Sequence, residues 1–116
     1  MEKSLQQIKE EKGQVNQQLD KLDRKKRQLN SFQQDIEELY GHSLSSLRHL
    51  YFLNLTTSQM TELDEVMAQL NRNSQLIFAD IDQKQDQLKK AERQAEDKLD
   101  QLSRDYGQAL DKQGKD

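Results

Sequence analysis

The sequence contains no cysteine, no proline and no tryptophan among its 116 residues. Without cysteine, the chain can form no disulfide, offers no thiolate nucleophile and cannot build a cysteine-ligated metal site. Without proline, it lacks the residue that interrupts helices most strongly, so long helices are permitted. No apolar run approaches the roughly 20 residues that a membrane-spanning helix needs. No secretory signal peptide is recognisable at the start of the sequence.

Charged residues make up 34% of the chain, yet the formal net charge is only -3 because acidic and basic residues are interleaved. Such a surface has no large field of one sign, so we expect neither a nucleic acid nor a membrane as partner. The basic run Arg24–Arg27 is the local exception and suits phosphate binding. Asp20 and Asp23 precede it, however, and favour a solvated helix face with ion pairs.

Two sets of positions, mostly apolar, recur at alternating steps of three and four residues. The first set is Leu5, Ile8, Lys12, Val15, Leu19, Leu22, Lys26 and Leu29. The second set is Met60, Leu63, Met67, Leu70, Ser74, Ile77, Ile81, Lys84, Leu88, Ala91, Ala95, Lys98 and Leu102. A mean spacing of 3.5 residues places each set on one narrow stripe of a helix, as in coiled coils. We call this contact stripe the seam.

The first helix is predicted over about residues 4–53. Ser4 and Gln7 have the spacing of a capping box at its start. After Leu29 the apolar pattern drifts by one residue, to Phe32, Ile36, Leu39 and Tyr40. Gly41 follows and predicts a kink, because glycine weakens a helix by roughly 1 kcal/mol relative to alanine.

The turn is predicted at about residues 54–57. Thr56 and Gln59 form a second capping-box pattern, and Leu55 and Met60 have the spacing of a hydrophobic staple. The second helix is then expected over about residues 58–111. The prediction is therefore an all-α chain, a single domain over residues 1–116 folded as a long antiparallel two-helix hairpin. A three-helix arrangement with a further break at Gly41 is the alternative.

If the chain reverses at Leu55, residues at equal sequence distances from Leu55 face each other. Phe32 and Phe78 are such a pair and are predicted to lie in the same layer of the hairpin. Apolar residues near this turn exceed what one seam can hold, and a wide apolar stripe is typical of helices with more than one neighbour. We therefore expect partner binding by Leu44, Leu47, Leu50, Tyr51, Phe52, Met67, Leu70 and Phe78.

Residues that could carry chemistry are poorly arranged for it. His42 and His49 are seven positions apart, a rise of about 10 Å along one helix, which is too far for shared ligation of one metal ion. Carboxylates are abundant, but a two-helix hairpin offers no cleft in which one of them would be desolvated. We expect no catalytic, cofactor-binding or metal-binding residues, and we expect that the protein is not an enzyme.

Phe78 and Asp82 lie one helical turn apart and form the pattern aromatic-x-x-x-acidic. Two interpretations are open. Phe78 is a core residue and Asp82 a solvated one, or the two together form an export motif.

The segments 44–52 and 77–82 and the Gln/Glu/Arg-rich stretch 84–105, in a cysteine-free chain of this length, resemble proteins of type VII secretion. The resemblance is to the WXG superfamily and, more narrowly, to the small helical proteins that accompany LXG toxins. Two features depart from the family pattern. Asn54-Leu55-Thr56 stands where Trp-x-Gly is usual, and Phe78 and Asp82 lie in the middle of the second helix rather than near its end, where Tyr106-x-x-x-Leu110 lacks the acidic residue.

The resemblance implies a non-enzymatic adaptor or chaperone that binds the helical N-terminal domain of an LXG toxin and targets it to a type VII machine. Its partners would be that domain, a second small helical protein, or a second copy of the chain. It would be cytoplasmic and could be exported together with its partner. The alternative is a structural coiled-coil homodimer or scaffold with no role in secretion.

Overall fold

The computed structural model describes residues 3–114, in which two helices form an antiparallel hairpin. Helix α1 spans Leu5–Leu50 and helix α2 spans Thr57–Gly114. The described residues are 93% helical and include no strand. The predicted all-α hairpin is thus confirmed.

Both predicted capping boxes are formed. At the start of α1, the Gln7 amide donates to Ser4 Oγ (3.2 Å) and the Ser4 amide donates to Gln7 Oε1 (3.0 Å). At the start of α2, the Gln59 amide donates to Thr56 Oγ1 (3.1 Å) and the Thr56 amide donates to Gln59 Oε1 (3.0 Å). Each box satisfies backbone donors that the first turn of a helix leaves without partners.

Helix α1 ends at Leu50, three residues earlier than predicted. The next three amides donate to carbonyls three residues back: Tyr51 to Arg48 (3.2 Å), Phe52 to His49 (3.2 Å) and Leu53 to Leu50 (3.1 Å). Such tighter bonds commonly close the last turn of a helix, and here they turn residues 51–53 out of the helical path. Helix α2 continues to Gly114, slightly beyond the predicted end near residue 111.

Gly41 lies within α1, so the three-helix alternative is wrong. None of the residues 3–114 has a positive φ, glycines included. Tyr40 before the glycine and Leu47 after it are both half-buried. Packing on both sides offsets the low helix propensity of glycine, which is why the helix continues through it.

The structure divides into two compact units, each made of facing segments from α1 and α2. The terminal unit comprises Met1–Arg27 and Asp86–Asp116, and the turn unit comprises Gln28–Gln85. The terminal unit holds a continuous core of Ile8, Val15, Ala95 and Leu102. At its edge, the Lys12 ammonium lies 4.9 Å from the centre of the Tyr106 ring.

The turn unit has a more polar interior. Its buried residues are Leu63, Ser74 and Ile81. The Tyr40 and Phe78 rings meet edge to face with centroids 6.3 Å apart, and Gln85 Nε2 donates to Gln33 Oε1 (2.7 Å). Between these two contacts, seven residues forward along α1 correspond to seven residues back along α2, so the paired segments are antiparallel.

The seam of α2 departs from the predicted set at three positions. Ile77, Lys84 and Lys98 are exposed, and their successors Phe78, Gln85 and Leu99 are half-buried instead. Each of these successors lies four residues after a buried residue, namely Ser74, Ile81 or Ala95. In a helix with 3.6 residues per turn, a residue four positions on is rotated by about 40° from the buried one, whereas a residue three positions on is rotated by about 60°. The fourth residue therefore faces α1 more directly than the third.

The predicted drift of α1 after Leu29 is also wrong. Gln33, Ile36 and Tyr40 are half-buried, whereas Phe32 and Leu39 are exposed. The three-and-four spacing therefore continues without interruption from Leu29. This spacing places Gln33 on the seam and Phe32 and Leu39 beside it. The direction of each side chain is set by the rotation of the helix and not by the hydrophobicity of the residue.

Phe32 and Phe78 do not share a layer, since Phe78 contacts Tyr40 instead. The error comes from the turn. Residues 51–56 lie outside the helices, and a non-helical residue can advance the chain by more than the roughly 1.5 Å of a helical residue. Each α1 residue therefore faces a residue further along α2 than simple reflection about Leu55 predicts.

Replacement of the Ile81 side chain tests the seam of the turn unit. Ile81 is only 2% exposed, so Ile81→Ala should lower the free energy of unfolding by about 2–5 kcal/mol. The matched control is Leu76→Ala, because Leu76 is 70% exposed on the same helix and should change stability by less than about 0.5 kcal/mol. Equal effects in urea unfolding would contradict the assigned seam.

Candidate functional site

The residues predicted to bind a partner all lie in the turn unit or its turn, but their exposure differs. Phe52 is 88% exposed, and Leu50 is also exposed. The remaining six are half-buried: Leu44, Leu47, Tyr51, Met67, Leu70 and Phe78. Most of the predicted set therefore contributes to the hairpin itself, and the two exposed members are free to contact other molecules.

Phe78 and Asp82 have different surroundings. The Phe78 ring packs edge-on against Tyr40, whereas Asp82 is exposed. Substitution of Phe78 would therefore disturb the contact between α1 and α2 as well as any motif to which it belongs.

Several exposed apolar residues were missed by the sequence prediction. In the described residues, large apolar side chains are exposed at eight positions of the turn unit and at Leu110 of the terminal unit. The eight are Phe32, Leu39, Leu50, Phe52, Leu53, Val66, Leu76 and Ile77. Phe32, Leu39 and Ile77 each precede a seam residue. If the heptad pattern of α1 had been extended from Leu29 to Gln33, it would have predicted that Phe32 and Leu39 are exposed.

The turn that carries Phe52 is held by a side-chain hydrogen bond between the two helices. The Tyr51 hydroxyl donates to Asp64 Oδ1 at 2.6 Å. This hydrogen bond, followed by desolvation and by the negative charge of Asp64, raises the pKa of the Tyr51 phenol above its ordinary value of 10.0. Tyr51 thus anchors the residues from which Phe52 and Leu53 project.

Polar contacts interrupt the seam of the turn unit. Besides Gln33, Gln85 Nε2 reaches Asn30 Oδ1 at 3.5 Å, and the Tyr40 hydroxyl donates to Asn71 Oδ1 at 2.7 Å. No buried side-chain nitrogen or oxygen in the described part of the chain lacks a hydrogen-bond partner. Paired polar groups at seam positions select one alignment of two helices, because a shifted alignment would leave them unpaired.

The histidines and carboxylates are dispersed along both helices. Among residues 3–114, no group of three His, Cys, Asp or Glu side chains is placed to hold a metal ion. His42 and His49 are exposed, and His49 Nδ1 lies 2.9 Å from the Ser45 carbonyl oxygen. An open depression in the terminal unit is lined by Lys3, Ser4, Leu5, Gln7, Ala109, Lys112 and Gln113. It includes none of the predicted site residues.

The basic run is partly neutralised by neighbouring carboxylates. Arg27 pairs with Asp23 at 2.8 Å, and Lys26 lies 3.9 Å from Glu92 of α2. These contacts match the solvated, ion-paired face that Asp23 favoured in the sequence. Neither described helix contains a segment that is both long and apolar enough to cross a membrane.

The titration of Tyr51 provides a test of the turn anchor. Since its pKa is raised in the folded chain, this group stabilises the fold below about pH 10, and the contribution is lost as the pH rises through the folded pKa. Asp64→Ala should move the phenol pKa back toward its ordinary value. Phenolate absorbance, with Tyr51→Phe subtracted, measures it. The control Asp82→Ala should leave the titration unchanged, and an unchanged titration in Asp64→Ala would contradict the assigned bond.

The glutamine pair provides a second test. Gln85→Leu alone leaves a half-buried Gln33 without this partner and should cost about 1 kcal/mol. Replacement of both glutamines by leucine should give a stability at or above that of the wild type, because no polar group then lacks a partner. Gln101→Leu is the control, since its bond to Asp105 is exposed. A double variant less stable than Gln85→Leu in thermal unfolding would contradict the pairing.

Comparisons with family models, with curated proteins and with solved structures find no match to this chain. The resemblance to LXG-associated proteins therefore rests on the residues quoted for it.

Proposed function

We propose that the protein is a non-enzymatic helical adaptor that binds the helical N-terminal domain of a secreted LXG-type toxin and targets it to a type VII secretion system. Two lines of support exist. One is the resemblance of segments 44–52 and 77–82 to LXG-associated proteins. The other is the amount of apolar surface exposed around the turn.

The need for a partner follows from how little of the chain is buried. Seven of the described residues are buried, and the chain exposes 9268 Å². A compact monomer of 13.7 kDa would expose about 6,600 Å² by the usual scaling with mass. Association with further helices would remove apolar surface from water at a gain of about 25 cal/mol per Å².

The exposure of Phe52 is the observation that carries the proposal. A phenylalanine that is 88% exposed beside an exposed Leu53 places apolar area in water with no stabilising role in the hairpin. The bond of Tyr51 to Asp64 tethers this segment to α2. Large aromatic side chains are typical anchors of protein interfaces, and a tethered backbone lowers the conformational entropy lost on binding.

The alternative is a structural coiled-coil homodimer or scaffold unrelated to secretion. The exposed apolar residues of α1 and α2 beside the seam favour association of hairpins in general and are compatible with it. The two functions differ in the identity of the partner, which binding experiments can establish.

Co-purification with the helical domain of an LXG toxin encoded beside this gene tests the adaptor function. The wild-type chain should capture that domain, and Phe52→Glu should reduce capture at least tenfold because a charge replaces the apolar anchor. Leu110→Glu is the matched control: it alters an exposed leucine of the terminal unit and should bind normally. Circular dichroism verifies that both variants are folded. Failure of the wild type to bind any such domain would overturn the proposal.

A further inference from the structure

Two rows of residues beside the seam of the terminal unit contain lysine and glutamine but no carboxylate. Each member precedes a residue that is buried, half-buried or, in the case of Lys26, in contact with Glu92 of α2. Apart from the half-buried Ala91, all members are exposed. The row on α1 is Gln14, Gln18, Lys21 and Lys25, and the row on α2 is Gln87, Ala91, Gln94, Lys98 and Gln101. We call the two rows together the lysine-glutamine face.

Both rows lie on the same side of the terminal unit. A residue that precedes an inward-facing one is rotated from it by about 100°. Because facing antiparallel helices turn in opposite senses, this rotation leads to the same side on both. The contacts of Lys12 with Tyr106 and of Lys26 with Glu92 fix the alignment, since fourteen residues forward along α1 correspond to fourteen residues back along α2. The two rows therefore run beside each other.

The lysines of this face are not neutralised within the chain. Lys21, Lys25 and Lys98 form no ion pair in the part of the chain that the structure describes. None of them has a carboxylate three or four residues away on its own helix, the spacing at which helical ion pairs form.

The opposite side of the terminal unit has a different composition. The residues that follow the same inward-facing positions include charges of both signs, namely Asp20, Asp23, Arg27, Lys89, Arg93, Glu96 and Asp100. Carboxylates are therefore confined to one side of these segments, and the lysine-glutamine face is the side on which only positive charge is present.

The division of charge between the two units points in the same direction. The terminal unit contains 15 basic and 13 acidic residues, whereas the turn unit contains 3 basic and 8 acidic ones. The net charge of -3 thus combines a positive terminal unit with a strongly negative turn unit. An acidic partner is attracted to the terminal unit and, within it, to the face that has no carboxylate.

The shape of the face fits a third helix. Its members recur at steps of three and four residues on both helices, which is the spacing of residues that flank a helix-helix contact and pair with charges of the neighbouring helix. On α2, the half-buried Ala91 and the buried Ala95 are small, so a helix that lies along the two rows can approach closely.

We propose that the lysine-glutamine face binds an acidic α-helix of a partner protein. Carboxylates of that helix pair with Lys21, Lys25 and Lys98, and the glutamine amides donate hydrogen bonds to further carboxylates. The row from Gln87 to Gln101 is about 21 Å long, so about four turns of the partner helix contact it. The face lies in a different unit from Phe52, and the inference does not rest on the proposed function.

The side chains of the face favour a carboxylate partner over a nucleic acid. The face contains no arginine, although arginine is the residue that binds phosphate through two parallel hydrogen bonds. Three lysines neutralise only about three phosphates, which gives weak binding to a duplex at physiological salt. A helix with a glutamate at every third or fourth position matches the spacing of the rows directly.

Binding of a synthetic acidic helix to the full chain tests the proposal. The probe is a fluorescent peptide of about 21 residues, long enough to be helical in water, with alanine at the inward heptad positions and glutamate at the flanking ones. In fluorescence anisotropy, the wild type should bind it, and binding should weaken at least tenfold as salt rises from about 0.05 M to 0.5 M. The triple variant Lys21→Gln/Lys25→Gln/Lys98→Gln should bind at least tenfold more weakly at low salt.

The matched control is Lys89→Gln/Lys90→Gln/Arg93→Gln. It removes the same charge from the same unit but leaves the lysine-glutamine face intact, so it should bind the peptide like the wild type. Circular dichroism should show equal helix content in every variant. Equal weakening in the two triple variants would overturn the proposal, since net charge alone would then explain binding, as would a wild type that does not bind at millimolar peptide.

Two further arms assign the partner. Reversal of the three lysines to glutamate should create binding to a peptide in which lysine replaces every glutamate. A DNA duplex of about 20 base pairs that binds the wild type more tightly than the acidic peptide at equal salt would overturn the assignment and give the face to nucleic acid. No toxin domain enters these measurements, so their failure leaves the proposed adaptor function unaffected.

Discussion

The contact between α1 and α2 along the seam is the constraint on which every other feature of the protein depends. Two helices can shield only one stripe of each other from water, so each additional apolar residue must lie beside the seam or in the turn. Within residues 3–114, seven buried residues support 104 helical ones, 46 in α1 and 58 in α2. Apolar surface that a globular domain would bury in its own core is therefore exposed and available for contact with other molecules.

The two units use the seam differently. In the terminal unit, aliphatic side chains of both helices meet in one continuous core around Val15 and Ala95. In the turn unit, Gln33, Ser74 and Gln85 occupy inward positions, and the hydrogen bond between the two glutamines specifies alignment more than it adds stability. Most exposed apolar residues lie in this same unit. A partner that covers them would supply apolar contacts that the polar seam does not.

Local features of the fold were predictable from the sequence, and features that depend on distance between helices were not. Both capping boxes involve residues three positions apart, so Ser4 and Thr56 could be identified directly. The pairing of Phe78 with Tyr40 depends on the distance that the turn covers along the helix axis, and this distance cannot be obtained by counting residues. The inward direction at Gln85 rather than Lys84 depends on a difference of about 20° in rotation from the buried Ile81, which the spacing of apolar residues does not resolve. The exposure of Leu39 was missed for a simpler reason, since an apolar residue was favoured over Gln33 for the seam.

Hydrogen exchange of the wild-type chain at increasing protein concentration tests most directly whether the turn unit contains a surface for other helices. Association through the exposed apolar residues of this unit should slow exchange in residues 39–50 and 66–77 as concentration rises, because opening of these helical segments would then require separation of the associated chains. Residues of the terminal unit should exchange at the same rate throughout. Exchange that is independent of concentration, or slowing confined to the terminal unit, would contradict the account.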